Sequence, residues 1–272
     1  MRRKTGLSTF ILAAMLAIGA SHSAAAETVR AGGTGAATEM LKRLGAAFAA
    51  SDEVKIEVVP SLGTSGALRA VADGALDIAV AGRSLRPEET AQGLREVFVV
   101  RSPFGLATSR PNPDGMKASE IAKTFASPGA RWTDGTPIRL ILRPKSDSDT
   151  PLLASLFPGM GKAIDEARRR PDVPTGATDQ DNADLAESIP GSLAGAALTQ
   201  VALEKRNLRF VSIDGVPPTV ENLERGTYPY AKVMRLVTSA ARSPAAARFI
   251  AFLASAEGKR LLRDANALPA AE

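Results

Sequence analysis

Apolar and polar positions alternate over residues 54–59, with Val54, Ile56 and Val58 on one side and Lys55 and Glu57 on the other. That period of two predicts a half-buried strand. A small-residue loop, SLGTSG at 61–66, interrupts it, and the spacing predicts a helix over 67–73 and a second strand over 76–81, ending at Gly82-Arg83. Upstream, Val29-Arg30-Ala31 reads as a short first strand leading into GGTG at 32–35. A helix then runs to about residue 50, with Met40, Leu41, Leu44 and Phe48 on one face at helical spacing. Two extended segments follow at 97–100 and 104–107, and Pro111 and Pro113 break the chain. A second series starts near residue 118. It contains an apolar strand at 138–142, helical stretches at 151–157 and 162–169, and a polar loop at 178–182 that opens another helix. Segments 191–199 and 208–213 read as strand or crossover, 233–238 as a late strand, and 244–253 and 256–264 as two amphipathic helices. Strand and helix alternate throughout, which predicts an α/β fold with mostly parallel sheets. No internal repeat is evident.

Three polar loops stand at the C-terminal ends of predicted strands: 32–38, 61–66 and 143–150. Loops on that edge of a parallel sheet are where α/β proteins bind ligands. A strand, a Gly/Ser/Thr loop and a helix N-terminus together point backbone N–H groups and hydroxyls at one place, an arrangement suited to an anion. Two of the loops lie in the first half of the chain, and the third, which carries Arg143, lies in the second. A cleft between two lobes would bring them together.

The first 26 residues read as a secretory leader. Arg2-Arg3-Lys4 is a basic start, 7–20 an apolar run and Ala24-Ala25-Ala26 a small-residue cleavage site before Glu27. Its removal changes the available chemistry. The chain's one histidine, His22, lies in the leader, and the chain has no cysteine. Ser-His-Asp and Cys-His catalysis, His or Cys zinc sites and disulfides are thereby excluded. So is a lipid-modified N-terminal cysteine, and the expected product is a freely soluble periplasmic protein. Lys and Arg fall from 34 to 31 against 29 Asp and Glu, so the basic balance of the precursor gives no argument for nucleic acid. Arg168-Arg169-Arg170, the densest basic run, reads as a solvated helix end. Asp147 and Asp149 have metal-like spacing, but the calcium-loop pattern is incomplete, and no metal or cofactor is expected.

The chain resembles the periplasmic substrate-binding proteins of ABC importers, the phosphate-binding branch in particular. The resemblance rests on GGTGA at 32–36, SLGTSGALRAVADGALDIA at 61–79, and Arg143 followed by Ser148-Asp149-Thr150. SIDGVPPTVENLERGTYPYAK at 212–232 and FIAFLASAEGKRLL at 249–262 add to it. It implies a two-lobed type II periplasmic-binding fold, each lobe a mostly parallel sheet flanked by helices. One lobe would hold residues 27–107 and 230–272, and an inserted lobe 108–229. It further implies a non-enzymatic, monomeric receptor for phosphate or a similar small oxyanion, with an ABC permease of the inner membrane as partner. Carried over residue by residue, the anion contacts would be Thr34, Gly35 and Ala36 in the first loop and Thr64 and Ser65 in the second. Arg143 would be the clamp arginine, and Ser148 and Thr150 the hydroxyls of the inserted lobe.

Three positions depart from the family pattern. The spacing from Arg143 to Ser148 is one residue longer, so Ser146 could also reach the ligand. Asp149 stands where glycine is common. Gly82, followed by Arg83, stands where the phosphate binders place an Asp. A carboxylate there accepts the proton of hydrogen phosphate and repels an unprotonated sulfate. Without it, sulfate-like oxyanions and organic phosphates or carboxylates stay open as ligands, and Arg83 joins the candidate contacts. Asp77 is expected to orient loop amides, and Trp132 and Tyr228 to be packing or hinge residues. Two alternative functions are a ligand sensor for a signalling partner and a periplasmic enzyme on the same fold. The latter lacks S-x-x-K, G-x-S-x-G and P-loop motifs.

Overall fold

A computed structural model describes residues 27–270; the leader and His22 lie outside the described residues. The chain begins with β1 (Glu27–Gly33), a 3-10 turn (Gly35–Ala37), α1 (Thr38–Ala49) and β2 (Val54–Val59). Next come α2 (Gly63–Ala72), β3 (Ile78–Ala81), α3 (Pro87–Ala91) and β4 (Leu94–Thr108). The middle of the chain supplies α4 (Ala118–Ala126), β5 (Arg139–Ile141), α5 (Asp149–Leu156) and α6 (Met160–Arg168). After these stand α7 (Asp179–Ser188), β6 (Ser192–Ala197), α8 (Leu198–Leu203), β7 (Arg209–Phe210) and α9 (Val220–Glu224). The chain closes with β8 (Ala231–Ser239), α10 (Pro244–Ala254), α11 (Ala256–Asp264) and β9 (Leu268–Pro269).

Two sheets share one strand. In the first, the order is β2-β1-β3-β8-β4, with β9 also on β4. β1 runs parallel to β2 and β3, whereas β8 is antiparallel to both β3 and β4. β4 then leaves this sheet. Its residues up to Pro103 pair with β8, and from Phe104 onward they pair antiparallel with β6, with β7 beside them. β5 completes the second sheet parallel to β6. The two extended segments expected at 97–100 and 104–107 are thus halves of one 15-residue strand that joins the sheets. The sheets are mixed and not mostly parallel as the alternation predicts: parallel pairing joins only β1 to β2 and β3, and β5 to β6, while β4 and β8 pair antiparallel with their neighbours because they carry the chain between sheets.

The predicted apolar face of α1 is buried as the periodicity requires, with Met40, Leu41, Leu44 and Phe48 each at most 3% exposed. Each such side chain contributes about 1.5–3 kcal/mol by leaving water. In the second half, Ile121 and Phe125 of α4 pack in the same cluster as Met160 and Ile164 of α6. Trp132 is buried, its Nε1–H donating to the Gly191 carbonyl at 3.1 Å. Tyr228 is fully buried and donates to the Phe104 carbonyl at 3.0 Å, at the point where β4 changes sheets. Asp77 accepts the Arg30 amide at 2.8 Å, bracing the start of β3 against β1.

Candidate functional site

The first loop leaves β1 at Gly33. Thr34 is buried and its N–H donates to the Val80 carbonyl, which leaves its hydroxyl as the group facing the cleft. Gly35 and Ala36 follow in the buried 3-10 turn. In the second loop, α2 opens at Gly63. Thr64 is buried there, its Oγ1 accepting the Gly82 N–H at 2.9 Å and standing 3.4 Å from Ser148 Oγ. Ser148 belongs to the second half of the chain, so this contact crosses the cleft.

Arg143 follows the end of β5 and is buried. Its Nη1 donates to the Gly176 carbonyl at 2.6 Å, and its Nη2 donates to Asp147 Oδ2 at 2.7 Å and lies 3.6 Å from Asp179 Oδ2. Asp147 also accepts the Asp149 amide at 2.9 Å, so one carboxylate positions both the arginine and the start of α5. The Thr150 hydroxyl turns back on the loop, within 3.2 Å of the Arg143 carbonyl and 2.8 Å of the Pro144 carbonyl. Its single proton is committed to backbone, so Thr150 shapes the loop instead of facing the cleft. Ser146 is exposed.

The structure therefore brings Thr34, Gly35, Thr64, Arg143 and Ser148 together and sets Ser65 and Arg83 apart. Arg83 forks onto Glu89, with both nitrogen–oxygen distances at 2.7 Å, and its Nη2 reaches Ser65 at 3.4 Å. Among the described residues, none of these contacts extends to Arg143, Ser148 or Asp179. The hydrogen bond with Glu89 raises the Arg83 pKa and lowers that of Glu89, so both stay charged as a rim pair. The triple arginine also differs from a solvated helix end. Arg168 donates to the Arg143 carbonyl at 2.8 Å and Arg170 reaches the Phe125 and Ser127 carbonyls, leaving only Arg169 exposed.

Two residues at the centre were not singled out as site candidates by the sequence. Asp179 is the first residue of α7, behind a capping box in which the Thr178 hydroxyl accepts the Asp181 amide. Its Oδ2 accepts the Gly35 N–H at 2.9 Å and stands 3.5 Å from Thr34 Oγ1, both across the cleft. Its Oδ1 lies 3.0 Å from Nζ of Lys232. Lys232, on β8 opposite Ser102, is fully buried where the two sheets meet, and it also pairs with Asp149 at 2.7 Å. A signal for Asp179 existed in the N-cap pattern of the 178–182 loop. Lys232 had none, since a lone lysine in an apolar strand reads as an edge or solvent-facing residue.

Two carboxylates share one ammonium here, and their surroundings separate them. Burial pushes the Asp149 carboxyl up to about 6, because Lys232 is its one close cation and Asp179 and Asp147 repel it. Burial opposes ionisation of Asp179 as well, but Lys232, Arg143 and the Gly35 N–H hold its pKa below the usual carboxylate range. Lys232 is raised despite burial by its two carboxylates and stays protonated.

Close packing explains the glycine at 82. A Cβ there would come within 2.5 Å of Ser148 Oγ and 3.4 Å of Thr64 Oγ1, so any side chain at 82 must displace the Ser148 hydroxyl from this arrangement. The carboxylates in the cleft come from Asp149 and Asp179 on the opposite wall instead. Gly35 is equally tight, since an added Cβ would meet Gln180 Oε1 at 2.5 Å and Asp179 Oδ2 at 2.9 Å. A cavity beside Arg143 and Asp149, lined also by Phe104, Ile141, Leu142, Leu153 and Ile164, is about 10 Å³, room for about one water at most. A larger opening of about 430 Å³ lies at the cleft rim, between Thr38, Lys42, Ser61 and Gln180. A groove of about 840 Å³ lies away from this chemistry, along β4 and β9.

A family model described as a PBP superfamily domain matches residues 19–257. The chain belongs to that superfamily. Among solved structures, it is similar to a Clostridium perfringens protein assigned as a phosphate ABC transporter substrate-binding protein and solved with phosphate bound. That match has a TM-score of 0.75 and 18% identity and covers 90% of this chain and 100% of the other. An ABC-type phosphate transport receptor from Vibrio cholerae matches with a TM-score of 0.61 and 15% identity, covering 90% and 100% of the two chains. The periplasmic molybdate-binding protein of Azotobacter vinelandii matches at 0.59 and 11%, covering 90% and 99%. No curated protein matches the chain in sequence. At these identities the structural matches establish the fold, a two-lobed type II periplasmic-binding architecture, as the sequence resemblance implied.

Proposed function

We propose that this protein is an extracytoplasmic solute receptor that captures a small oxyanion, phosphate foremost, between two closing lobes and hands it to an ABC permease. The lobes would be 27–107 with 230–272, and 108–229, and the leader would direct export. One observation carries the reading. The Gly35 N–H, the Thr34 hydroxyl and the Arg143 guanidinium, from loops on both sides of the cleft, converge on one anionic oxygen, that of Asp179. The hydroxyls of Thr64 and Ser148 meet close by across the same cleft.

Groups that converge in this way suit an oxyanion for a physical reason. A buried anion needs most of its oxygens satisfied, and each hydrogen bond to a charged partner contributes about 1.5–3 kcal/mol. Several together reach the roughly 8 kcal/mol of micromolar binding after entropic costs. Arg143 offers a planar fork that a lysine lacks. Relatives with this fold include proteins named for phosphate and for molybdate, which fits a tetrahedral oxyanion and leaves the choice among them to the site.

A thermal-shift and calorimetry panel of phosphate, sulfate, molybdate and small organic phosphates tests the reading. A ligand at 100 times its dissociation constant adds about 2.7 kcal/mol of stability, so phosphate is expected to raise the melting temperature clearly. Absence of a shift with every inorganic oxyanion would sink the oxyanion assignment.

A further inference from the structure

Asp179 sits where an anionic ligand should sit. Its side chain is only 8% exposed, in a cradle whose donors come from three separate segments: Gly35 and Thr34 after β1, Arg143 after β5 and Lys232 on β8. It bridges the two sides of the cleft, since α7 belongs to the second half and the Gly35 turn to the first. Its neighbour Gln180 adds a second bridge, Nε2 donating to the Gly35 carbonyl at 3.1 Å. Arg143 retains a buried Nε with no hydrogen-bond partner, a donor this carboxylate leaves unused.

We propose that Asp179 is a tethered internal anion, holding the ligand-free receptor closed and competing with the free ligand for the same donors. This deepens the oxyanion reading and rests on it for the identity of the competitor. The tether sets a specificity rule. A carboxylate attached to the protein has an effective local concentration in the millimolar range or above, so a free monocarboxylate offering the same two oxygens must exceed that concentration to displace it. A ligand must offer more, either a second negative charge or further acceptor oxygens for Arg143 Nε, Thr64 and Ser148. A dianionic tetrahedral oxyanion does both. The apparent affinity is the intrinsic affinity reduced by the fraction of molecules in which Asp179 has left the cradle.

The test uses the mature chain with Asp179→Asn and Gly35→Ala. Asp179→Asn keeps size and the Thr178 cap while weakening the charge-assisted bonds. Gly35→Ala leaves every charge in place but puts a methyl into the carboxylate's seat. Small-angle scattering without ligand should show the wild type compact and both variants expanded. Calorimetry with inorganic phosphate should show Asp179→Asn binding about tenfold tighter or more, as expected if the competent fraction of wild type is about a tenth or less, and acetate should bind wild type more weakly than it binds Asp179→Asn. Wild-type scattering of an open shape, or two folded variants as compact as wild type, would overturn the proposal. So would unchanged or weaker phosphate binding by Asp179→Asn, which would make the carboxylate a bystander or a ligand contact. Expansion of both variants with no oxyanion binding in any of the three proteins would uphold the internal closure and remove the oxyanion reading. Phosphate binding by wild type with no expansion of the variants would do the reverse.

Discussion

The cleft holds two clusters that pair cations with carboxylates, and they differ in what water can reach. At the rim, Arg83 and Glu89 form a two-bonded pair whose side chains keep 22% and 14% exposure. At the centre, Lys232, Asp149 and Asp179 form a triad exposed by 1%, 4% and 8%, with Arg143 beside it. Water and salt screen the rim pair, so its formation changes little. The central groups have lost their solvation and depend on one another, so removing any one leaves the rest uncompensated. Geometry alone would rank the rim pair first. Burial reverses that order and marks the centre as the place where a ligand's charge can matter.

Lys232→Met should break the comparison most sharply. It leaves two carboxylates facing each other in a closed interior, and the expected loss is about 3–5 kcal/mol in urea denaturation. A loss below about 1 kcal/mol would mean that water reaches the triad. Arg143→Ala should weaken phosphate binding by more than about tenfold, equivalent to over 1.4 kcal/mol. Unchanged affinity in calorimetry would show that the arginine serves the Asp147 loop alone.

A pH series separates the two central carboxylates. Asp149 in the folded protein titrates at about 6, against about 3.9 in the unfolded chain. Between those values the folded state binds the extra proton. Stability from this group is therefore greatest at low pH and falls as pH rises through the window. Asp179 runs the other way, its folded value being held low. Its contribution is present above about 4 and is lost as pH falls through that depressed value. Melting temperatures of Asp149→Asn should thus lack the decline between about 4 and 6 that wild type shows from this group. Identical slopes in the two proteins would place Asp149 in contact with solvent.

Smaller effects are expected toward the rim. Thr64→Ala should weaken phosphate binding by less than about tenfold, since one neutral hydroxyl contributes about 0.5–1.5 kcal/mol. Glu89→Ala should change stability by no more than about 1 kcal/mol and less at high salt. A larger, salt-insensitive loss would mean that the rim pair is part of the closed core.

Much of the fold was legible because local patterns suffice for it. The buried stripe Met40, Leu41, Leu44 and Phe48 follows from helical spacing, and the burial of β3 follows from its continuous apolar run. The sequence separates the two parts of β4 because Arg101, Ser102 and Pro103 interrupt the apolar run, whereas Ser102 is fully buried and donates to the Asn266 carbonyl. Arg143 was visible as a strand-end arginine with hydroxyls behind it. Thr150 was visible too, but sequence spacing cannot show that its proton goes to its own loop. Arg83 looked like a site cation because Glu89, six residues later, could not be assigned to it without the turn into α3.

The sequence by itself determined the α/β alternation, the three polar loops, the absence of cysteine and the place of the one histidine, at position 22. Each follows from periodicity, turn chemistry or composition, which act over a few residues or over the whole chain. Only the tertiary structure decided that Asp179 meets Gly35 across 144 positions and that Lys232 is buried between two carboxylates. It also decided that Gly82 packs directly against the Ser148 hydroxyl. Those outcomes depend on which surfaces the crossing strands bring within 3 Å and on the water excluded there, and neither is encoded in the local pattern of any one segment.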